Sequence, residues 1–283
     1  MSYLDYIKKN VDKPWNFCTL SANPNVTWDM IVNNPDIPWD FCWLSMNPNI
    51  TWDIVESNPD KEWDYEFLSD NSNITWDIIE ANPDKNWNYM DFCDNPNITW
   101  DIVEANPDKP WGYYRLSSNP NITWDIVEAN PDKPWDYESL SSNPNITWDI
   151  IQANPDKPWD YSEISINSNI TWDIIQANPD WLWLYGSVVR NPNITWDIIK
   201  SRPDIDWVWY TYFISEKPDV TWDIINEHPY IFPYRDYASI SKNPNITWDI
   251  VEANPNKPWE YNNLSSNPML KHKYFNKLSY VLK

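Results

Sequence analysis

Residues 119–137 read Asn119-Pro120-Asn121-Ile122-Thr123-Trp124-Asp125-Ile126-Val127-Glu128-Ala129-Asn130-Pro131-Asp132-Lys133-Pro134-Trp135-Asp136-Tyr137. The pattern Asn-Pro-(Asn or Asp)-x-(Thr or Pro)-Trp-Asp-apolar occurs twice in this stretch, once around Trp124 and once around Trp135. The tripeptide Thr-Trp-Asp begins at Thr27, Thr51, Thr75, Thr99, Thr123, Thr147, Thr171, Thr195, Thr221 and Thr247, at intervals of 24 residues until the last two, which are 26. A fixed period of this length is the signature of a tandem array whose units bury their apolar faces on one another. Trp124, Trp135 and Trp148 lie 11 and 13 residues apart, room for one short helix and a turn per half-unit.

The local chemistry selects helices. Each helix must stop at the following Asn-Pro, because proline disfavours helical geometry in the residue before it. The Asn or Asp two positions after the first Asn of each half-unit is expected as the shared N-cap, with Thr123 as the alternative in the first half. On this scheme Pro134 falls in the first turn, and Asp125 and Asp136 face the positive end of the helix dipole. The expected helices are roughly 7 to 11 residues long, too short to persist alone, so stacking must hold them. Only Gly112 and Gly186 are glycines, so Asn and Pro make the turns.

These features predict an all-α fold, an α-solenoid of about ten 24-residue helical hairpins. Residues 1–9, with Tyr3, Leu4, Tyr6 and Ile7, are expected as an N-terminal cap, 10–268 as the array, and 269–283 as a basic capping helix. Valine 11 replaces the usual proline of the first unit. The consensus decays over 181–240. Most of the 23 tryptophans keep the repeat register and are expected in the core; Trp43, Trp181 and Trp209 are additions to it.

Net charge is −22, and its carboxylates recur in every repeat, which opposes binding to nucleic acid. The segment from Met269 carries Lys271, Lys273, Lys277 and Lys283 without an acid. No secretory signal or apolar run of membrane-spanning length is visible, which predicts an intracellular protein that does not enter a membrane. Cys18, Cys42 and Cys93 form no disulfide framework. Nine Asn-(Ile or Val)-Thr sequons fall at the capping asparagine, where Asp219 stands in one repeat, and capping explains them better than glycosylation. His228 and His272 stand in unrelated contexts, and no nucleophile elbow, phosphate loop or zinc spacing occurs, so no catalysis, metal, cofactor or small-molecule substrate is expected.

The decayed stretch gathers Trp181, Trp209, Tyr210, Tyr212 and Tyr234 with Arg190, Arg202 and Arg235. Aromatic residues and arginine dominate binding energy at protein interfaces, so these eight are the candidate partner-binding residues. The intact unit at 119–137, nearly repeated at 143–161, resembles the tryptophan-rich repeat proteins encoded by giant DNA viruses of amoebae and other protists. The resemblance covers about residues 10–268 and fades between 181 and 240. It implies a viral protein made in host cytoplasm, in a family with no assigned activity. The expected role is a non-enzymatic scaffold that binds a host factor or another viral component. The alternative is a structural component of the virion packed in many copies.

Overall fold

A computed structural model describes residues 3–10, 12–233 and 235–269, and of Tyr3 the backbone alone. The described residues carry twenty-two α-helices and one 3-10 helix and no strand, with neighbouring helices meeting in a repeating pattern. The protein is an α-solenoid of short helical hairpins. The described residues of Met1–Ile50 and Thr195–Lys283 form one compact unit, and those of Thr51–Ile194 another.

The helices are shorter than the spacing suggested and start later. In the repeat quoted above they run Trp124–Ala129 and Tyr137–Ser142. The N-cap positions belong to Thr123 and Asp136, both with extended backbone, and not to Asn121 or Asp132. The Asp136 carboxylate accepts from the Ser139 N–H at 2.8 Å. The threonine oxygens lie farther from their amides, 3.4 Å for Thr147 to Ile150 N and none within reach for Thr123. Pro134 is therefore outside the helix. The Trp135 N–H donates to Lys133 O at 2.8 Å across a three-residue turn centred on the proline, whose fixed φ suits that turn.

The displaced asparagines do other work, which their burial explains. Asn143, with no exposed surface, donates from Nδ2 to Ser117 O (2.8 Å), Asn119 O (3.0 Å) and Ile122 O (3.3 Å) of the preceding repeat. Its Oδ1 accepts from Asn145 N at 2.8 Å. Asn145 in turn donates to Pro120 O and Ile122 O at 2.6 and 3.0 Å. The same bonds recur at Asn95 and Asn97, Asn167 and Asn169, and Asn191 and Asn193. The sequon asparagines thus spend their amide groups on the neighbouring repeat. A buried serine adds a third tie: Ser141 Oγ donates to Tyr137 O and accepts from Asp160 N, at 2.6 and 2.9 Å.

The tryptophans bind the other side of each hairpin. Those preceding the second helix, from Trp15 to Trp259, donate their indole N–H to the residue that ends the first helix, as Trp135 does to Asn130 O at 2.8 Å. Trp87, Trp111, Trp135, Trp159, Trp183 and Trp259 then meet the Thr-Trp-Asp indole of the previous repeat, with ring centroids 5.4 Å apart for Trp100 and Trp135 and 5.7 Å for Trp124 and Trp159, both tilted near 45°. Tyr113 lies edge-on to Trp135 at 5.3 Å, and Tyr137 likewise to Trp159 at 5.4 Å. None of the register tryptophans is exposed. The ring thus buries apolar area while its one polar atom satisfies a helix C-terminal carbonyl.

In the unit that contains both ends of the described chain, the first repeats stack on the last by the same bonds. The helix Tyr3–Lys9, in the segment expected as a cap, ends like any first helix of a repeat: Asn10 Nδ2 donates to Tyr6 O and Trp15 Nε1 to Asn10 O, at 2.9 and 2.7 Å. Asn23 Nδ2 donates to Ser265 O and Asn267 O (2.8 and 3.2 Å), Asn25 Nδ2 to Pro268 O (2.9 Å), and the Asn16 N–H to Ser265 Oγ (3.2 Å). Trp15 lies edge-on to Tyr261 and Trp248, at 5.2 and 5.3 Å, and Tyr6 stacks on Trp248 at 4.2 Å. Met269, the last described residue, is buried with φ 47°. The remainder of the basic segment, with its four lysines, and Val11 lie outside the described residues.

Candidate protein-interaction groove

Two regular hairpins, those beginning at Trp100 and Trp124, leave a shallow groove between the first helix, its turn and the turn of the next repeat. The two grooves, of about 250 and 230 Å³, are lined by equivalent residues: Trp100, Glu104, Lys109, Trp111 and Lys133 in one, Trp124, Glu128, Lys133, Trp135 and Lys157 in the next. Lysine ammonium groups close them, and neighbouring Asp carboxylates pair with some of those lysines, as Asp132 does with Lys133 at 3.5 Å.

The corresponding groove in the decayed stretch keeps the volume, about 270 Å³, and changes the chemistry. Ile205 stands where Lys109 stands, Ile231 where Lys133 stands, Lys200 replaces Glu104, and Val208 and Tyr230 complete the wall around Trp207. Two lysines have become isoleucines, so an apolar side chain can enter without displacing a charge. Asp204 and Asp206 stand at the rim. Arg202 grips Asp204 through Nε and Nη2, and this hydrogen bonding holds the Asp204 carboxyl below its ordinary value.

The two insertions frame this groove. After Trp207 the chain holds two residues more than a regular repeat; they are taken up in the 3-10 turn Trp207–Tyr210 before the helix Thr211–Glu216. Trp209 is expelled, 80% exposed, its indole N–H donating to Asp206 Oδ2 at 2.8 Å. The second insertion follows Phe232, which replaces the usual tryptophan and stacks on Trp196 at 6.0 Å. Lacking an indole N–H, Phe232 instead donates its backbone N–H to His228 O at 3.2 Å. Thr211 Oγ1 donates within 2.8 Å of both Val208 O and Ile231 O, joining the inserted turn to the far wall.

None of the eight predicted residues lines this groove, but Trp209, Tyr210 and Arg202 each contact a residue of its wall, Arg202 also accepting the Trp207 indole N–H on its carbonyl at 2.8 Å. Tyr210 lies edge-on to Trp207 at 6.5 Å. Tyr212 is exposed on the next helix and accepts from Lys242 Nζ at 2.8 Å, a contact that raises the lysine above its ordinary pKa. Arg235 is half-buried with φ 37°, a left-handed backbone in a residue other than glycine. Trp181 and Arg190 belong to the other compact unit, where Trp181 meets Trp148 edge-on at 4.8 Å and Tyr161 at 5.5 Å. Tyr234 lies outside the described residues. Ile199, Ile205, Val208, Tyr230 and Ile231 lie in the decayed stretch but are not among the eight candidate residues read from it. The signal for two of them, isoleucine at a lysine register, is visible once the repeats are aligned.

Among the described residues no group of three or more His, Cys, Asp or Glu could hold a metal ion, and no helix is long and apolar enough to cross a membrane. Cys93, buried, sits at the serine register and accepts from Gly112 N at 3.2 Å through Sγ. Burial pushes its thiol up to about 11. None of the three cysteines is in a disulfide.

No family model, curated protein or solved structure matches this chain.

Proposed function

We propose that this chain is a non-enzymatic repeat scaffold that binds a protein partner, and that the partner seats an apolar side chain in the Trp207 groove with Trp209 packed over it. The observation that carries this reading is the replacement of two groove lysines by Ile205 and Ile231 beside an indole left 80% exposed. A buried apolar anchor beside an aromatic residue and a rim of charge is the usual composition of an interface hot spot. The acidic rim favours a partner with basic residues flanking the anchor. The resemblance noted in the sequence supports a viral protein acting inside the host cell, on a host factor or another viral component, without cofactor or small-molecule substrate.

Two substitutions test the groove. Trp209→Ala removes the exposed indole, and Ile205→Lys restores the residue of the regular repeats. Trp209→Ala is expected to melt within about 2 °C of the parent, since exposed-site changes cost under about 0.5 kcal/mol, and Ile205→Lys, at a half-buried site that carries lysine in the regular repeats, to cost no more than about 1 kcal/mol. Both are expected to lose a protein that the parent captures from infected cells. Undiminished capture by both, or loss that accompanies unfolding, refutes the assignment. The alternative role, a particle component present in many copies, is read separately from its abundance in purified virions.

A further inference from the structure

We infer that the seam between the first and last repeats is an exchangeable head-to-tail interface, and that its second possible occupant is another copy of this chain. Within the compact unit that holds both, the seam is made by no covalent continuity. Asn23, Asn25 and Asn16 reach Ser265, Asn267 and Pro268 in place of a sequence-neighbouring repeat. The bonds match those of a covalently continuous pair: Asn47 Nδ2 donates to Ser21 O and Asn23 O at 2.7 and 3.0 Å, Asn49 Nδ2 to Pro24 O at 2.8 Å, and the Asp40 N–H to Ser21 Oγ at 3.0 Å. The edge-on pair Tyr261 and Trp15 reproduces Tyr237 and Trp259, at 5.2 and 5.3 Å. The seam adds Lys9 to Glu252 at 3.2 Å and Asn16 Nδ2 to Asn262 Oδ1 at 2.6 Å, both exposed.

The surface offered by Trp248, Tyr261, Ser265 and Asn267 therefore recognises a repeat bearing Trp15, Asn23 and Asn25, whichever molecule supplies it. Two different surfaces that complement each other in this way make a heterologous contact, so one copy's first repeat can occupy another copy's last. Inside one molecule the array holds the two ends together, which favours the internal seam until something opens it. This inference concerns faces remote in sequence from the Trp207 groove and does not depend on the function proposed above.

The test uses two full-length variants, each disabled on one side only. Asn23→Asp keeps the oxygen that accepts from Asn25 N at 2.9 Å and removes the donor to Ser265 O and Asn267 O. Ser265→Glu forces a longer, charged side chain into a fully buried site, where it cannot donate to Tyr261 O as the Ser265 hydroxyl does at 2.7 Å. Each variant alone is expected to be monomeric by light scattering, with fast hydrogen exchange at the Asn16 amide. An equimolar mixture is expected to form a one-to-one dimer at concentrations on the order of 10 µM, with Asn16 protection restored in the Ser265→Glu copy only. A mixture that stays monomeric while both seams are open overturns the proposal. So does a seam that stays shut in either variant, because the bonds named would then not be what holds it.

Discussion

Replacing Asn143 by aspartate keeps its shape and inverts its chemistry. The side chain has no exposed surface; Nδ2 donates to three carbonyls at 2.8 to 3.3 Å and Oδ1 accepts from Asn145 N at 2.8 Å. Asn143→Asp removes no volume, so no cavity cost enters. The introduced carboxyl faces carbonyl oxygens, and burial among acceptors raises its pKa by about 3 or more. At about 1.36 kcal/mol per unit, the charged form costs roughly 4 kcal/mol at neutral pH. Even when protonated, the carboxyl offers one donor hydrogen where the amide offers two, which costs about 1 kcal/mol more. The sign follows from the direction: a raised pKa leaves the native state favoured below the unfolded value and penalised as pH rises through the folded one. The expected deficit against the parent is thus about 5 kcal/mol at pH 7, shrinking to about 1 near pH 3.5, below the ordinary aspartate value. Because repeat arrays open locally, the assay is hydrogen exchange at the Asn145 amide, with denaturant melts of both proteins across the pH range. A deficit below about 1 kcal/mol at pH 7, or one that does not change with pH, would refute the role given to the asparagine ladder.

Two other outcomes follow from the same geometry. Trp135→Phe keeps most of the ring contact with Trp100 but takes from Asn130 O its 2.8 Å indole donor, leaving the Lys133 N–H at 3.2 Å, and is expected to cost about 1 kcal/mol, read as a few degrees in melting temperature; a shift under about 1 °C would show that the indole N–H is replaced without cost. Cys93, raised from 9.0 to about 11 mainly by desolvation, stabilises the fold fully below pH 9 and loses that contribution as pH rises through 11. The difference between the parent and Cys93→Ser should therefore shift by roughly 2 to 3 kcal/mol against the parent over that window, and a flat difference would contradict the burial of the thiol.

The helical hairpin and its period were readable because Asn-Pro and Trp recur at an interval that neither strand alternation nor a long helix can satisfy. The capping scheme was not. Asn121 and Thr123 are both good N-cap residues, and sequence position alone does not separate them. What decides is the neighbouring repeat, whose Pro96 and Ile98 carbonyls take the Asn121 amide at 2.8 and 2.7 Å, leaving the cap position to Thr123. The helix therefore begins at Trp124 and loses the turn that the sequence reading had allotted to it. The same blindness to neighbours hid the seam: Tyr3 to Trp15 look like a worn end until Tyr6 is seen stacked on Trp248.

The groove shows how an insertion in a rigid array becomes a candidate site. A regular interval leaves little slack, because the asparagine ladder and the serine tie fix a regular hairpin such as Tyr137–Ser142 to its neighbour. Two additional residues after Trp207 cannot be absorbed inside the stack, where Ile214 must still occupy the buried register that Leu140 holds in a regular repeat. They are taken up where the chain meets solvent, in the 3-10 turn, and the side chain carried outward is an indole. The exposed Trp209 lies in a repeat whose ladder is itself altered, with Lys217 and Asp219 in the asparagine registers and Ser215 Oγ, buried, without a hydrogen-bond partner among the described residues. The apolar groove beside it needs a second condition, isoleucine at two lysine registers, which no insertion imposes. The coincidence of the two is what distinguishes a binding surface from a worn repeat. Reversing only the second condition, by Ile205→Lys, separates them: a binding surface is lost while the array stands, whereas a worn repeat gains the charged closure of its neighbours and nothing else changes.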